Sequence, residues 1–597
     1  MNDRSIARRD FLKGLALTGS AVAATGMLAA CSPSTATNEP MANNTETTVL
    51  MPTGKKILTD IPEIAETDIV EAVNCDVVVC GAGVAGLAAA RSAAEEGAKV
   101  IVLEKKSSIE VHGFEFGALN CGLAVSAGAY EDPVFFTQDY QQRSCQRANM
   151  DLIRLWVKES GRIFDWWIEP VHSDASVMDE LTVMYWPRSE LHDRAKDAEQ
   201  TFVGTIDFKE DPENPIGGKA WVATGQANQK KAEAEGAEFR FLTVARKLVT
   251  DSSGKVTGVI AANDDGTFTK INTSKGVVLC TGGLTNFFGT GARELMEIYC
   301  PNLVENYRKE SGEPNWEPMF TADSPVLGGN TGDGHLMAIW AGAQMEPFSE
   351  SSMGSSTTLI GATVALEVNI NGRRFHNEDQ GIWPKHDAIL TQPNHTAWQI
   401  FDVNWRERLH YQGIGHRNLD VNDEPFMGGY TGAQYIEAIN NVLLSSVGVK
   451  GGVLFDHKFG EAEGIAYGAD TLEELAEMIG VPTDALVKTV DRYNDLVAMK
   501  YDEDYGCDSQ KLFPIISAPF FATKTQGMPR LTCMSGMLTD GVLQLVDKNL
   551  EPIAGLWCAG ATAGQRFQPF YQTPMSGLNH GFAVVHGHLA GQYAAQS

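Results

Sequence analysis

Although the 597 residues include 10 cysteines, no two of them stand in a Cys-x-x-Cys pair. That excludes a haem-attachment motif and any recognisable cluster or zinc set, so no metal site is expected. Positive charge is scarce: 47 Lys and Arg stand against 76 Asp and Glu, for a formal net charge of −29. So acidic a surface repels phosphate backbones, and nucleic acid is excluded as a partner. Long apolar runs are missing too. The N-terminal one, Gly14 to Ala30, is short and rich in Gly, Ala and Thr, unlike a membrane span.

What stands before and after that run is informative. Arg8-Arg9 followed by Phe11-Leu12-Lys13 is a twin-arginine export signal. The run closes on Leu28-Ala29-Ala30-Cys31, a lipoprotein box in which Cys31 takes a lipid and becomes the new N-terminus. Residues 1–31 are therefore expected to be a signal, and the mature protein to be anchored at the outer face of the cytoplasmic membrane. Residues 32–71, with Ser, Thr, Asn and Pro and little apolar periodicity, are expected to form a flexible tether.

The body opens on an apolar strand, a glycine turn, an alanine-rich helix and a second apolar strand: Cys75 to Cys80, Gly81-Ala82-Gly83-Val84-Ala85-Gly86, then Lys99 to Leu103 and Glu104. Each glycine has its own task. Gly81 makes the turn, Gly83 lets a pyrophosphate approach the backbone, and Gly86 lets helix and strand pack. The diphosphate then sits at the helix N-terminus. Glu104 follows Gly83 by about 20 residues, where an acid accepts hydrogen bonds from an adenosine ribose. The chain is expected to bind an adenine dinucleotide. No second glycine fingerprint appears, so a dedicated nicotinamide site is not indicated.

Further along, Leu152, Leu155, Trp156, Ile163, Trp166 and Trp167 have helical spacing and are expected in a core. Glu235 to Ile260 is expected to form a β-meander, and Gly276 to Cys280 a buried strand ending at Thr281-Gly282-Gly283. Cys75, Cys80, Cys280 and Cys558 lie in apolar strands as small hydrophobes. Thr471 with Glu474 forms a capping box. Pro552 to Gly560 is a turn and a buried strand, and Ser576-Gly577-Leu578-Asn579 starts the last helix.

From Asn74 onward the order of these motifs resembles the flavoprotein subunits of fumarate reductases and succinate dehydrogenases, in their soluble single-chain branch. The glycine turn, Thr281-Gly282-Gly283, Asn330-Thr331-Gly332-Asp333-Gly334-His335, Asn371 to Glu378 and Gly555 to Gly560 carry the likeness. It implies FAD as the cofactor and an α/β fold, a Rossmann-like FAD-binding domain with an inserted α+β capping domain. The FAD domain would comprise 72–342 and 534–597, the capping or substrate domain 343–533. The resemblance runs the FAD along Gly81, Gly83, Ala85, Gly86, Glu104, Lys105, Gly113, Val244, Thr281, Gly282, Gly283, Asp333, Gly560, Ala561, Gly577 and Leu578. Haem and FMN modules fused to some relatives are not present in this sequence, which implies a separate electron donor: a cytochrome c, an FMN protein or a quinol-linked carrier.

The likeness breaks at the substrate. Fumarate reductases of this branch clamp two carboxylates and protonate through an arginine soon after the motif matched by Arg374 to Glu378. Here Asp379 to His386 contains no arginine, and two further dicarboxylate-handling residues are also replaced. In their stead the C-terminal loop reads Arg566-Phe567-Gln568-Pro569-Phe570-Tyr571-Gln572-Thr573-Pro574-Met575, aromatic and apolar, favouring a larger, less charged unsaturated substrate. It is similar to the loop of 3-ketosteroid dehydrogenases, which implies that Tyr571, assisted by Gly577 N–H, polarises a carbonyl conjugated to C=C; packing of the loop is the competing role for Tyr571. The expected chemistry is hydride transfer from reduced FAD to an activated alkene, an enone or acrylate-type acceptor in anaerobic respiration. Lys385 or His386 is the expected general acid, and Glu378 either a proton relay or a partner of Arg373 or Arg374. The reverse dehydrogenation and a non-catalytic flavin electron carrier are the alternatives.

Overall fold

A computed structural model describes residues 60–597, apart from 110, 185–201, 203, 210–216, 285–289, 302–303, 305–329, 348–354, 357–358, 361–364, 380–381, 410–431, 456–463 and 529–532. The signal, the lipoprotein box and most of the tether lie outside the described residues. The described residues fall within one compact unit.

Its first half is organised on β1, Ile69–Cys80, whose Val77 to Cys80 have almost no exposed surface. Alternate side chains face opposite sides: Val77 and Val79 enter one core, Val78 and Cys80 another. A strand buried on both faces belongs at the centre of a parallel sheet. The helix α1, Val84–Glu95, follows, then β2, Val100–Leu103, parallel to β1 in the register Val77↔Val100 to Cys80↔Leu103. Further helices are α2, Met150–Ile168, and α3, Lys219–Ala234. The remaining early strands are β3, Glu238–Arg240; β4, Val244–Thr250; β5, Val256–Ala262; and β6, Phe268–Leu279. β3 continues the parallel sheet beside β2, while β4 and β5 form an antiparallel hairpin on β6. The expected meander is thus a parallel strand followed by a hairpin. After the helix α4, Asp333–Trp340, the chain leaves this sheet.

The second sheet is antiparallel. Its strands are β7, Leu366–Asn369; β8, Thr396–Asp402; β9, Val453–Phe455; β10, Gly464–Ala469; and β11, Phe520–Met528, in the order β7-β8-β11-β10-β9. Ser355–Ser356 adds a short sixth strand beside β11. β8 is buried at every residue, between one core holding Trp398 and Ile400 and another holding Phe401 and Trp405. The helix α5, Ile382–Leu390, packs against β11. α6, Thr483–Met499, buries Leu486, Val490 and Tyr493 in the first of those cores.

The chain then returns to the first sheet with β12, Gln544–Val546, and β13, Pro552–Cys558, the latter parallel to β6. It ends in α7, Leu578–Gln596, apolar on nearly all sides because it runs through the core. A Cβ built on Gly587 or Gly591 would stand 2.3 or 2.2 Å from the carbonyl oxygens of Ala85 or Ala89. Only glycine allows α7 to lie this close to the backbone of α1.

One expectation about the tether needs correction. It was to run to Glu71, yet β1 starts at Ile69, and the Glu71 carboxylate meets Arg240 Nη1 at 2.7 Å. Pairing with the outlying part of β6, Ile69↔Phe268 onward, orders a segment whose own side chains are largely exposed. Strand pairing, not an apolar pattern, holds it.

Candidate active site

A cleft opens at the carboxyl ends of β1, β2 and β6, where an open α/β sheet binds its ligands. At its base Gly81 has φ +102°, and a Cβ there would stand 2.3 Å from the Cys280 carbonyl oxygen. A side chain fits neither that conformation nor that space. α1 starts at Gly83 with no side chain capping it, so its first N–H groups face the cleft for an anion. Gly86 lies behind: its Cβ would be 1.9 Å from the Gly81 carbonyl oxygen, so it sets how closely helix and turn pack.

Glu104, nearly buried, ends β2. Its carboxylate accepts from Ala82 N at 2.8 Å and from Lys106 N at 2.9 Å, which fixes it at the lip of the cleft. Its neighbour Lys105 donates from Nζ to Thr331 Oγ1 at 2.8 Å and lies 3.7 Å from Asp333. Burial holds the Lys105 ammonium below its usual range. Thr281 N donates to Thr562 Oγ1 at 3.0 Å, and that hydroxyl donates to the Gly282 carbonyl, fastening the end of β6 to the segment after β13. The first turn of α7 supplies Asn579, His580 and Ala583 to the opposite wall. His580 is half-buried, desolvation lowers its pKa, and its Nδ1 meets the Glu115 carbonyl oxygen at 2.8 Å.

Of the residues expected along a dinucleotide, Gly81, Gly83, Ala85, Glu104, Lys105, Val244, Thr281, Gly282, Asp333, Gly560 and Ala561 line this one cleft. Gly86, Gly113, Gly283, Gly577 and Leu578 do not. A Cβ on Gly113 would collide with the His580 ring at 2.2 Å, and Gly577, at φ +69°, is the N-cap of α7. The unencumbered glycine cradle, the uncapped helix start and the anchored acid fit FAD. Thr331, Asn579 and His580 join this lining without having been singled out as ligands. For the last two the usable signal was helical spacing from Asn579 to Ala583.

Behind the α7 end of the cleft, the loop from Gly564 to Met575 is almost wholly buried. Arg566 donates from Nε to the Ala563 carbonyl oxygen and from Nη1 to Asn579 Oδ1, both at 2.9 Å. Glu346 packs against the same loop and accepts from Gln565 N. Burial raises the Glu346 carboxyl to about 8 and lowers Arg566 to about 10. Tyr571 is buried with its ring 4.6 Å from that of Phe567.

The other expected catalytic residues lie elsewhere. Lys385, on α5, has no exposed surface, and its Nζ is 3.1 Å from Glu367 Oε1 inside the second sheet. His386 is equally buried, its Nδ1 3.3 Å from Asp387. Neither side chain lines the dinucleotide cleft, and neither does Tyr571. Glu378 is gripped by Arg374 through Nε at 2.9 Å and Nη2 at 2.6 Å, with Asp502 on the guanidinium's other side at 2.8 Å. These contacts make Glu378 a partner of Arg374 and put Lys385 and His386 in the buried surroundings of the second sheet.

Comparison with known proteins agrees with this geometry. The family described as FAD binding domain matches residues 76–578. A digoxin reductase of Eggerthella lenta is 25% identical, the alignment covering 94% of this chain and 92% of that one. A vinyl phenol reductase of Lactiplantibacillus plantarum is 24% identical over 87% of this chain and 96% of its own. The fold recurs in the 3-ketosteroid-Δ4-(5α)-dehydrogenase of Rhodococcus jostii, with TM-score 0.62 and 20% identity, covering 89% of this chain and 99% of that one.

Proposed function

This chain belongs to the FAD-binding-domain family and is an FAD-dependent oxidoreductase acting on CH–CH groups, and we propose that it reduces an activated alkene, an enone or acrylate-type acceptor other than fumarate. The observation that carries this reading is the loop before α7. Phe567, Tyr571 and Met575 are buried in it beside the helix start that lines the cleft, an aromatic and apolar setting suited to a conjugated, weakly charged substrate. The names of the digoxin and vinyl phenol reductases support the direction of the reaction.

In this reading Glu104 and the glycine turn hold the adenosine and diphosphate of FAD, and Asn579 with the start of α7 meets the ring end. FAD, when bound, would supply a hydride to one alkene carbon, and the other carbon takes a proton from a general acid, the role expected of Lys385 or His386. The protein's part is to hold and polarise the substrate. Tyr571 donates a hydrogen bond to the carbonyl oxygen, stabilising charge as it develops there. The aromatic wall orients the conjugated system and excludes water. Electrons come from a separate donor protein or a quinol-linked carrier, and Arg8-Arg9 and Cys31 support export and anchoring at the outer face of the cytoplasmic membrane.

The test is oxidation of reduced viologen against a panel of unsaturated acids, vinyl phenols, enones and steroids, with and without Tyr571→Phe. The variant should keep its flavin spectrum and lose about 100-fold in kcat/KM on the accepted substrate, the usual scale for one oxyanion donor. Turnover restricted to fumarate, or an unaffected variant, would refute the reading. Mass analysis of the mature N-terminus checks for lipid on Cys31.

A further inference from the structure

Arg566 is a fully buried cation one residue beyond the Glu346–Gln565 contact, and it is tied by its side chain to the wall of the cleft. We propose that Arg566 and Glu346 form a two-state charge device that acts through Asn579 on the flavin, with Arg566 setting a positive potential at the α7 end and Glu346 cancelling it when ionised. Both are positioning residues: neither lines the cleft, whereas Asn579 does. The proposal rests on the ring end of FAD lying beside the start of α7.

The geometry is specific. Arg566 Nη1 to Asn579 Oδ1 is 2.9 Å, so the guanidinium orients the amide that faces the ligand. α7 begins at Asn579's immediate neighbour, and its N-terminal partial charge adds to that of the arginine. Among the described residues, Arg566 Nη2 has no hydrogen-bond partner, so the cation is only partly compensated. Glu346 is seated on the same loop, where a Cβ on Gly564 would stand 2.8 Å from its Oε2. In a dry interior a charge of either sign is felt over several ångströms with little screening.

Other titratable groups surround the pair. Glu346 is faced by Arg566 and by the thiols of Cys300 and Cys533, whose sulfurs are 3.6 Å apart, with the Ser535 hydroxyl alongside. Arg566 is faced by Glu346, Tyr140, Tyr571 and Cys558, and His586 on α7 feels it in turn. Burial pushes the Tyr140 phenol and the Cys558 thiol well up; contact with Cys533 and burial do the same to Cys300. His586 is driven down to about 3. Glu346, raised to about 8, therefore changes charge before these groups as the pH rises from neutrality. Below that value it is an uncharged acid and the arginine acts alone. Above it the two neutralise each other.

A positive charge favours the more negative, reduced state of the flavin, so it raises the midpoint potential. The experiment is anaerobic spectroelectrochemistry of the FAD-loaded protein across pH, which needs no substrate and so stands whatever the alkene panel gives. The wild type should show an extra fall in potential as pH passes about 8. Glu346→Gln should lack that feature and keep the high potential, and Arg566→Gln should sit lower at every pH. Where Arg566→Gln does not fold, Asn579→Ala decides: a lowered potential with a weakened pH feature supports the device. Identical pH profiles in wild type and Glu346→Gln, or an unshifted potential in Arg566→Gln or Asn579→Ala, would overturn it.

Discussion

At the carboxyl end of the first sheet the polar groups on offer belong to the backbone, around Gly81, Gly83 and Thr281, whereas the second sheet is surrounded by charged side chains that satisfy one another. Arg374 with Glu378 and Asp502, Lys385 with Glu367, His376 with Glu367, Lys511 with Asp379, and Arg408 with Asp402 are all largely or wholly out of water. The first region is shaped to receive a charged ligand and leaves room for it. The second spends its charge internally. Buried ion pairs do little for net stability and are costly to break, so they hold a geometry more than they strengthen it.

The sharpest test of that contrast is Gly81→Ala. A Cβ 2.3 Å from the Cys280 carbonyl oxygen, at φ +102°, should abolish FAD retention, read as loss of flavin absorbance in the purified protein. Arg374→Met should act in the opposite way. Stranding Glu378 and Asp502 should cost about 3–5 kcal/mol in denaturant unfolding, while any protein that remains folded keeps its FAD. If the flavin is lost in parallel with stability, the regions are not separable in this sense.

Acid separates them more gently. His335 and His586 belong to the first region, and burial lowers them to about 4 and about 3. Groups with depressed folded values contribute stability above the unfolded pKa and lose it as pH falls toward the folded one. Each should therefore cost about 1.4 kcal/mol per pH unit below about 6.5. Around the second sheet, Glu367 and Asp502 are pushed up by burial but held down more strongly by Lys385 and His376 and by Arg374, so both end below the ordinary carboxylate range. Their stabilisation is intact at pH 5 and disappears only in stronger acid. Hydrogen exchange followed downward in pH should find α7 and α4 loosening before β7 and β8.

Legibility in the sequence follows the same division. The strand, turn, helix and acid from Cys75 to Glu104 are contiguous, and each residue type answers a backbone requirement, so spacing alone locates that half of the cleft. The start of α7 is legible too, through the run Ser576-Gly577-Leu578-Asn579. Lys385 stands out in the sequence as a proton-bearing group where an arginine is missing; its partner Glu367 sits on a strand, and nothing local announces the pairing. Asp502 reaches Arg374 across 128 residues. Glu346 is hardest of all, since its environment is assembled from Ser535, Gln565 and Arg566, which only the closed fold brings together.

The glycine contacts between α7 and α1 also set the order in which the cleft is assembled. The cleft draws its walls from the first and last stretches of the body, and its final lining residue, Ala583, is on a helix that ends the chain. Until that helix packs on α1, the cleft lacks this wall and α1 presents an open apolar face. The cleft is therefore complete only when two segments far apart in the sequence have met, and a cofactor that bridges them acts as a clasp on the packed pair.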